Sequence, residues 1–117
     1  RNAIEAHAKE FFSKRKVQIW EAVEDGEVVD HHFSSACYID KAFPASLYLA
    51  WKYAHSFREG IIANTNIGGD NCHRGAVVGA LLGAATGLNA IPEQWINRLK
   101  LSPRLTDLQG QKRYSST

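Results

Sequence analysis

Between residues 68 and 75 the chain sets a glycine pair, a carboxylate, an amide, a thiol, an imidazole and a guanidinium in a row: Gly68-Gly69-Asp70-Asn71-Cys72-His73-Arg74-Gly75. Two glycines let the backbone turn sharply. An acid placed directly after them, at the start of an apolar run, meets first-turn amides that favour negative charge. Asp70 therefore has two readings, a helix N-cap or a ligand held at a helix end. Asp70, Cys72 and His73 are all donors that zinc accepts, although three ligands within four residues rarely reach one ion from a helix start. Arg74 suits a phosphate or a nearby acid such as Asp70. Asn64 and Asn66, just upstream, suit amide hydrogen bonds that brace the turn.

Other chemistry-bearing residues have blander readings. His31 and His32 are adjacent, so their side chains do not converge on one small site without an unusual backbone, and a loop surface is expected. Cys37, followed by Tyr38, has no basic neighbour in sequence to lower its pKa and reads as a small buried hydrophobe. Tyr48, Trp51 and Tyr53 offer rings for an adenine, but aromatic residues at helical spacing more often belong to a core.

These residues need elements to position them. Ile4, Ala8, Phe11 and Phe12 form one stripe and predict an amphipathic helix from Asn2 to Arg15. Val17 to Val23 fits either a helix or a strand, and Asp25-Gly26 permits a small hairpin with Val28 and Val29. His31 to Lys41 has no clear period and reads as a loop leading to a helix with Pro44 at its first position, running to His55. Ser56 and Glu59 make a capping box for a helix that ends near Asn66.

After the glycine pair, Asn71 to Thr86 reads as a helix stopped by Gly87. It is apolar almost all round, a pattern that predicts central burial. Gly75, Gly79 and Gly83 recur every four residues and present one close-packing face, at a cost of about 3 kcal/mol relative to alanines. Pro92 opens a last short helix whose Ile91, Trp95, Ile96 and Leu99 are candidates to cover the core, and Pro103 ends it. Residues 109–117 read as a disordered tail behind a single structured unit, 1–108.

The 117 residues, 44% hydrophobic and 22% charged, suit one soluble domain. A formal net charge of +2 from 14 basic and 12 acidic residues is too balanced for a nucleic-acid footprint. Basic residues near the end, Arg98, Lys100, Arg104, Lys112 and Arg113, read as a solvated tail. Two cysteines without paired spacing indicate reduced thiols and an intracellular, cytoplasmic setting. The longest apolar run, Ala76 to Leu88, is shorter than the ~18 residues of a membrane span, so no membrane partner is expected.

From Ser34 to Leu99 the chain resembles the C-terminal region of the ADP-ribosylglycohydrolases, which carry a Gly-Gly-Asp-x-Asp-Thr loop, a buried helix with small-residue spacing and a closing proline-aromatic segment. The corresponding stretches here are FPASLYLAWKYAHSFREGIIANTNIGGDNCHRGAVVGALLGAATGL and NAIPEQWINRL. The resemblance implies an all-α fold and hydrolysis of ADP-ribosyl bonds, with ADP-ribose or an ADP-ribosylated substrate as partner. It also implies a pair of magnesium ions, with manganese as an alternative, bound by loop acids and a hydroxyl. Asp70 matches the first acid. Cys72 stands at the second acid and His73 at the hydroxyl, so soft sulfur and nitrogen replace two oxygen donors that a hard cation prefers. Gly68, Gly69, Asn71, Cys72, His73 and Arg74 would then shape the rim of the site.

The family's N-terminal acidic motifs have no counterpart in residues 1–117, so these residues alone are expected to be inactive without that N-terminal portion. The rival expectation is a catalytically silent helical module whose glycine face, Gly75, Gly79 and Gly83, self-associates with a second copy.

Overall fold

Serine 56, extended at φ −146° and ψ 105°, accepts a hydrogen bond from the Glu59 amide at 3.3 Å and so starts the helix Phe57–Ile67. Half of the expected capping box forms. The Glu59 carboxylate turns instead to His55 Nε2, 3.3 Å away. Gly68 and Gly69 follow in the left-handed region, φ 74° and 61°, which a side chain would resist. The next helix, Asn71–Thr86, ends at Gly87 with φ 82°. Both of its ends lie where the glycines and Asp70 predict.

The computed structural model describes residues 3, 4, 6, 12, 20–34, 36 and 38–100. In chain order the described helices are α1 (Asp25–His32), α2 (Ile39–Lys52), α3 (Phe57–Ile67) and α4 (Asn71–Thr86), then a 3-10 turn (Leu88–Ala90) and α5 (Glu93–Asn97). The fold is all-α, with no strand among the described residues. The amphipathic stretch predicted for Asn2 to Arg15, the end at Pro103 and the tail 109–117 lie largely or wholly outside the described residues.

Two expectations upstream are corrected. Val28 and Val29 do not form a hairpin; they lie in α1 and are fully buried. Asp25-Gly26 begins a helix rather than a turn because Asp25 finds three partners on and just after α2, described below. The stretch His31 to Lys41 is not one loop either. His31 and His32 close α1 and are exposed, His32 lying 5.1 Å from the Trp20 ring, while α2 starts at Ile39. Pro44 therefore stands inside α2, in its second turn. A proline there forfeits one amide hydrogen bond, but α2 buries Pro44 through Ala50 without a break.

α4 packs between α2 and α3, and α1 against α3. Trp20, Phe33 and Tyr48 join the core as an aromatic group, with Trp20 edge-on to Tyr48 at 5.9 Å and to Phe12 at 5.4 Å. Central burial of α4 holds for one stripe only, Arg74, Val78 and Leu82. Ala76, Val77, Ala80 and Ala84 remain exposed. The glycine face is covered within the chain: a Cβ on Gly75 would meet Asn64, one on Gly79 would meet Ile61 and one on Gly83 would meet Phe57, all on α3. The closest approach is at a residue that this pattern does not single out. A Cβ on Gly60 would overlap Leu82 Cδ1 and lie 3.0 Å from Tyr53 Cβ. Trp95 on α5 faces Phe57 at 6.4 Å, while Leu99 is exposed rather than covering the core.

Candidate functional site

The loop between α3 and α4 is held by an internal frame. Arg74, one turn into α4, is 3% exposed and donates from Nε to Asn64 Oδ1 at 2.7 Å. Its Nη2 donates to the backbone oxygens of Gly68, at 2.7 Å, and Asn64, at 3.2 Å. Asn64 returns a bond from Nδ2 to Asn71 O at 2.8 Å, and Asn71 Nδ2 donates to Thr65 O at 3.2 Å. Asn64, 2% exposed, is thus the brace its position suggested. Asn66 is exposed and lies outside this frame. Arg74 makes no ion pair with Asp70; it binds the Asn64 side chain and the carbonyls of Asn64 and Gly68. Burial lowers its pKa, with the carboxylates of Asp70 and Asp30 acting in the opposite direction, and a guanidinium stays charged throughout.

Asp70 stands at the N-cap position, but its side chain caps no amide. Its Oδ1 lies 2.7 Å from Nδ1 of His73, a first-turn side chain, in place of a first-turn N–H. The Asp70 side chain is 22% exposed and that of His73 is 88% exposed. Cys72 is a free, exposed thiol. Asp70, His73 and Arg74 share a pocket of about 370 Å³ with Ser46 and the apolar side chains of α2 and α4, Ile39, Ala42, Phe43 and Val77.

The donor set can be tested against a divalent cation. No group of three or more His, Cys, Asp or Glu side chains could hold a metal ion among the described residues. The zinc reading of Asp70, Cys72 and His73 therefore fails: Asp70 and His73 meet, but no third donor joins them among the described residues. Magnesium is commonly held by one or two carboxylates together with waters and substrate phosphates. Asp70 fits as one such ligand, with Oδ2 making no bond among the described residues. The loop supplies no second hard carboxylate.

A second polar cluster escapes sequence reasoning. The Asp25 carboxylate, at the first position of α1, accepts from Lys52 Nζ at 2.7 Å, Tyr48 Oη at 2.8 Å and Tyr53 Oη at 2.5 Å. Lys52 Nζ also reaches Val23 O at 3.2 Å. Burial pushes the Asp25 carboxyl up, but the hydrogen bonds from Lys52, Tyr53 and Tyr48 outweigh it and leave the pKa below the usual value. Both phenols are pushed up, first by burial and then by the carboxylate they serve. Tyr48 and Tyr53 are thereby committed to Asp25, and Trp51 packs on the core, so the aromatic residues of this region are structural. The one local hint was Tyr48 and Lys52, four apart on one helix face; Asp25 is more than twenty residues away. Cys37 lies outside the described residues.

No helix among the described residues is long and apolar enough to cross a membrane. Comparison with curated proteins and with solved structures returned no match. The family model described as ADP-ribosylglycohydrolase matches residues 1–115. The chain belongs to the ADP-ribosylglycohydrolase family, whose chemistry is the hydrolysis of ADP-ribosyl bonds.

Proposed function

We propose that this family member supplies, through Asp70, part of a site that hydrolyses N- or O-glycosidic ADP-ribosyl bonds in the intact parent protein. One observation carries the reading. In a chain of this family, a carboxylate with one oxygen unpartnered among the described residues stands on a braced glycine loop and lines a pocket. Magnesium or manganese is the cofactor we propose, with Asp70 one of its ligands. When bound, such an ion would polarise the departing oxygen or activate water.

The chain's own residues perform the positioning. Arg74 and Asn64 hold the Gly68 carbonyl and the Asn71 backbone, and these fix where Asp70 leaves the loop. His73 occupies Asp70 Oδ1, and Oδ2 has no partner among the described residues. Cys72 and His73 stand where the family's loop places oxygen donors, and both are exposed. We assign them to the rim with Gly68, Gly69, Asn71 and Arg74. The remaining ligands must come from elsewhere in the parent protein, so residues 1–117 alone are proposed to be inactive.

Release of ADP-ribose from an ADP-ribosylated protein tests this reading, using the full-length chain, its Asp70→Ala form and residues 1–117. The full-length protein should be active with magnesium or manganese, and Asp70→Ala should lose about a hundredfold or more. Undiminished release by Asp70→Ala would remove Asp70 from the site.

A second reading has its own observation. Ala76, Val77, Ala80 and Ala84 leave a small apolar face of α4 exposed, while the glycine face is occupied by α3. A silent module that self-associates would use the alanine face. Sedimentation at micromolar concentration separates the readings, because a stable monomer excludes this one.

A further inference from the structure

We infer that His73 is a positioning residue for Asp70: its hydrogen bond holds the carboxylate away from the amides of α4 and leaves Oδ2 for a cation. An aspartate at an N-cap ordinarily accepts from a backbone N–H two or three residues on, here that of Cys72 or His73. Asp70 occupies the cap position, with φ −78° and ψ 55°, and accepts from neither. His73 Nδ1 lies 2.7 Å from its Oδ1 instead. A carboxylate only accepts, so Nδ1 carries the proton, and the distance is that of a charge-assisted bond.

Stability alone does not account for this exchange. The His73 side chain is 88% exposed, and a pair so open to water contributes little to folding. A carboxylate capping the first-turn amides contributes more. α4 thus forgoes the better local bond, and a local rule broken without a gain in stability marks a functional position. Spacing of three residues lets His73 reach Asp70 from the same face of the first turn. Both side chains line the α2–α4 pocket, so the bond keeps the carboxylate at that pocket.

For its relation to a metal the assignment rests on the hydrolase reading, but the first half of its test needs no metal. Urea midpoints are measured for the full-length chain, Asp70→Ala, His73→Ala and the double variant. In the wild-type background Asp70→Ala should leave the midpoint nearly unchanged. With alanine at position 73 the freed carboxylate caps α4, so removing Asp70 there should lower the midpoint. Equal shifts in the two backgrounds overturn the inference. Manganese alone, titrated into the same proteins, gives the second half. His73→Ala should weaken its binding about tenfold, and His73→Asn, whose amide nitrogen stands near the place of Nδ1, should recover most of the loss. Full affinity in His73→Ala overturns the positioning role. So does a His73→Asn form that recovers nothing, which would make the imidazole itself a ligand. A wild-type chain that binds no manganese overturns the cofactor of the hydrolase reading instead, and the midpoints alone then decide the role of His73.

Discussion

Arg74 Nε and Asn64 Oδ1 lie 2.7 Å apart, both residues almost wholly buried, and this pair joins α4 to α3 directly behind the Asp70 loop. Asn64 is also the donor to Asn71 O, so a single amide satisfies a buried cation and pins the first residue of α4. Asn64→Ala leaves the guanidinium short of an acceptor and removes the side-chain bond to Asn71 O. A loss of about 2–4 kcal/mol is expected from that combination, read as a fall in the urea midpoint with an unchanged slope.

The glycines of α4 should separate under substitution. A Cβ at Gly75 would stand 2.8 Å from Asn64 Nδ2, which its bond to Asn71 O prevents from yielding. Gly75→Ala should destabilise by about 1–3 kcal/mol. At Gly79 and Gly83 the same atom finds ordinary contacts of 3.5 and 3.8 Å. There alanine should stabilise by about 0.5–1 kcal/mol through helix propensity and a less free unfolded chain. Thermal unfolding of the three single variants checks the order.

Gly60→Ala should be worse than any of them. The added Cβ overlaps Leu82 Cδ1, a fully buried side chain, with Tyr53 Cβ 3.0 Å away on the other side. Soluble yield and midpoint should both fall. A neutral outcome would mean that α3 and α4 can separate without cost.

The Asp25 cluster predicts a pH profile with two flanks. Asp25's folded pKa is lowered, so its contribution is complete above the unfolded carboxylate value, about 3.9. It is lost as pH falls through the lower folded value. The phenols of Tyr48 and Tyr53 are raised, so their contribution is complete below an unfolded value of about 10 and is lost as pH rises above it. Denaturant titrations across pH should show both declines. Asp25→Asn should flatten the acidic one.

How much of this was legible follows from the range of the interactions. The bounds of α4 are set by Gly68, Gly69 and Gly87 within a residue or two, and the start of α3 by Ser56, so short-range chemistry announced them. Asn64 as a loop brace was readable for the same reason. The start of α2 was not, because Pro44 suits a first helical position but here is buried in the second turn, where tertiary packing outweighs a lost hydrogen bond. Asp25-Gly26 carries a turn signal that a three-partner carboxylate overrides. An all-round apolar pattern predicted full burial of α4, yet it buries one stripe. Within that stripe Arg74 reads in sequence as a partner for a phosphate or a nearby acid, and only the two helices together show it to be the anchor of the loop.

Divalent-ion binding by the full-length protein tests the assignment of Asp70 most directly. Manganese titration of the wild-type chain should give saturable binding, and Asp70→Ala should weaken it at least tenfold while leaving the unfolding midpoint nearly unchanged, since among the described residues the Asp70 side chain bonds only to the exposed His73. Equal affinity in the two proteins would contradict the account.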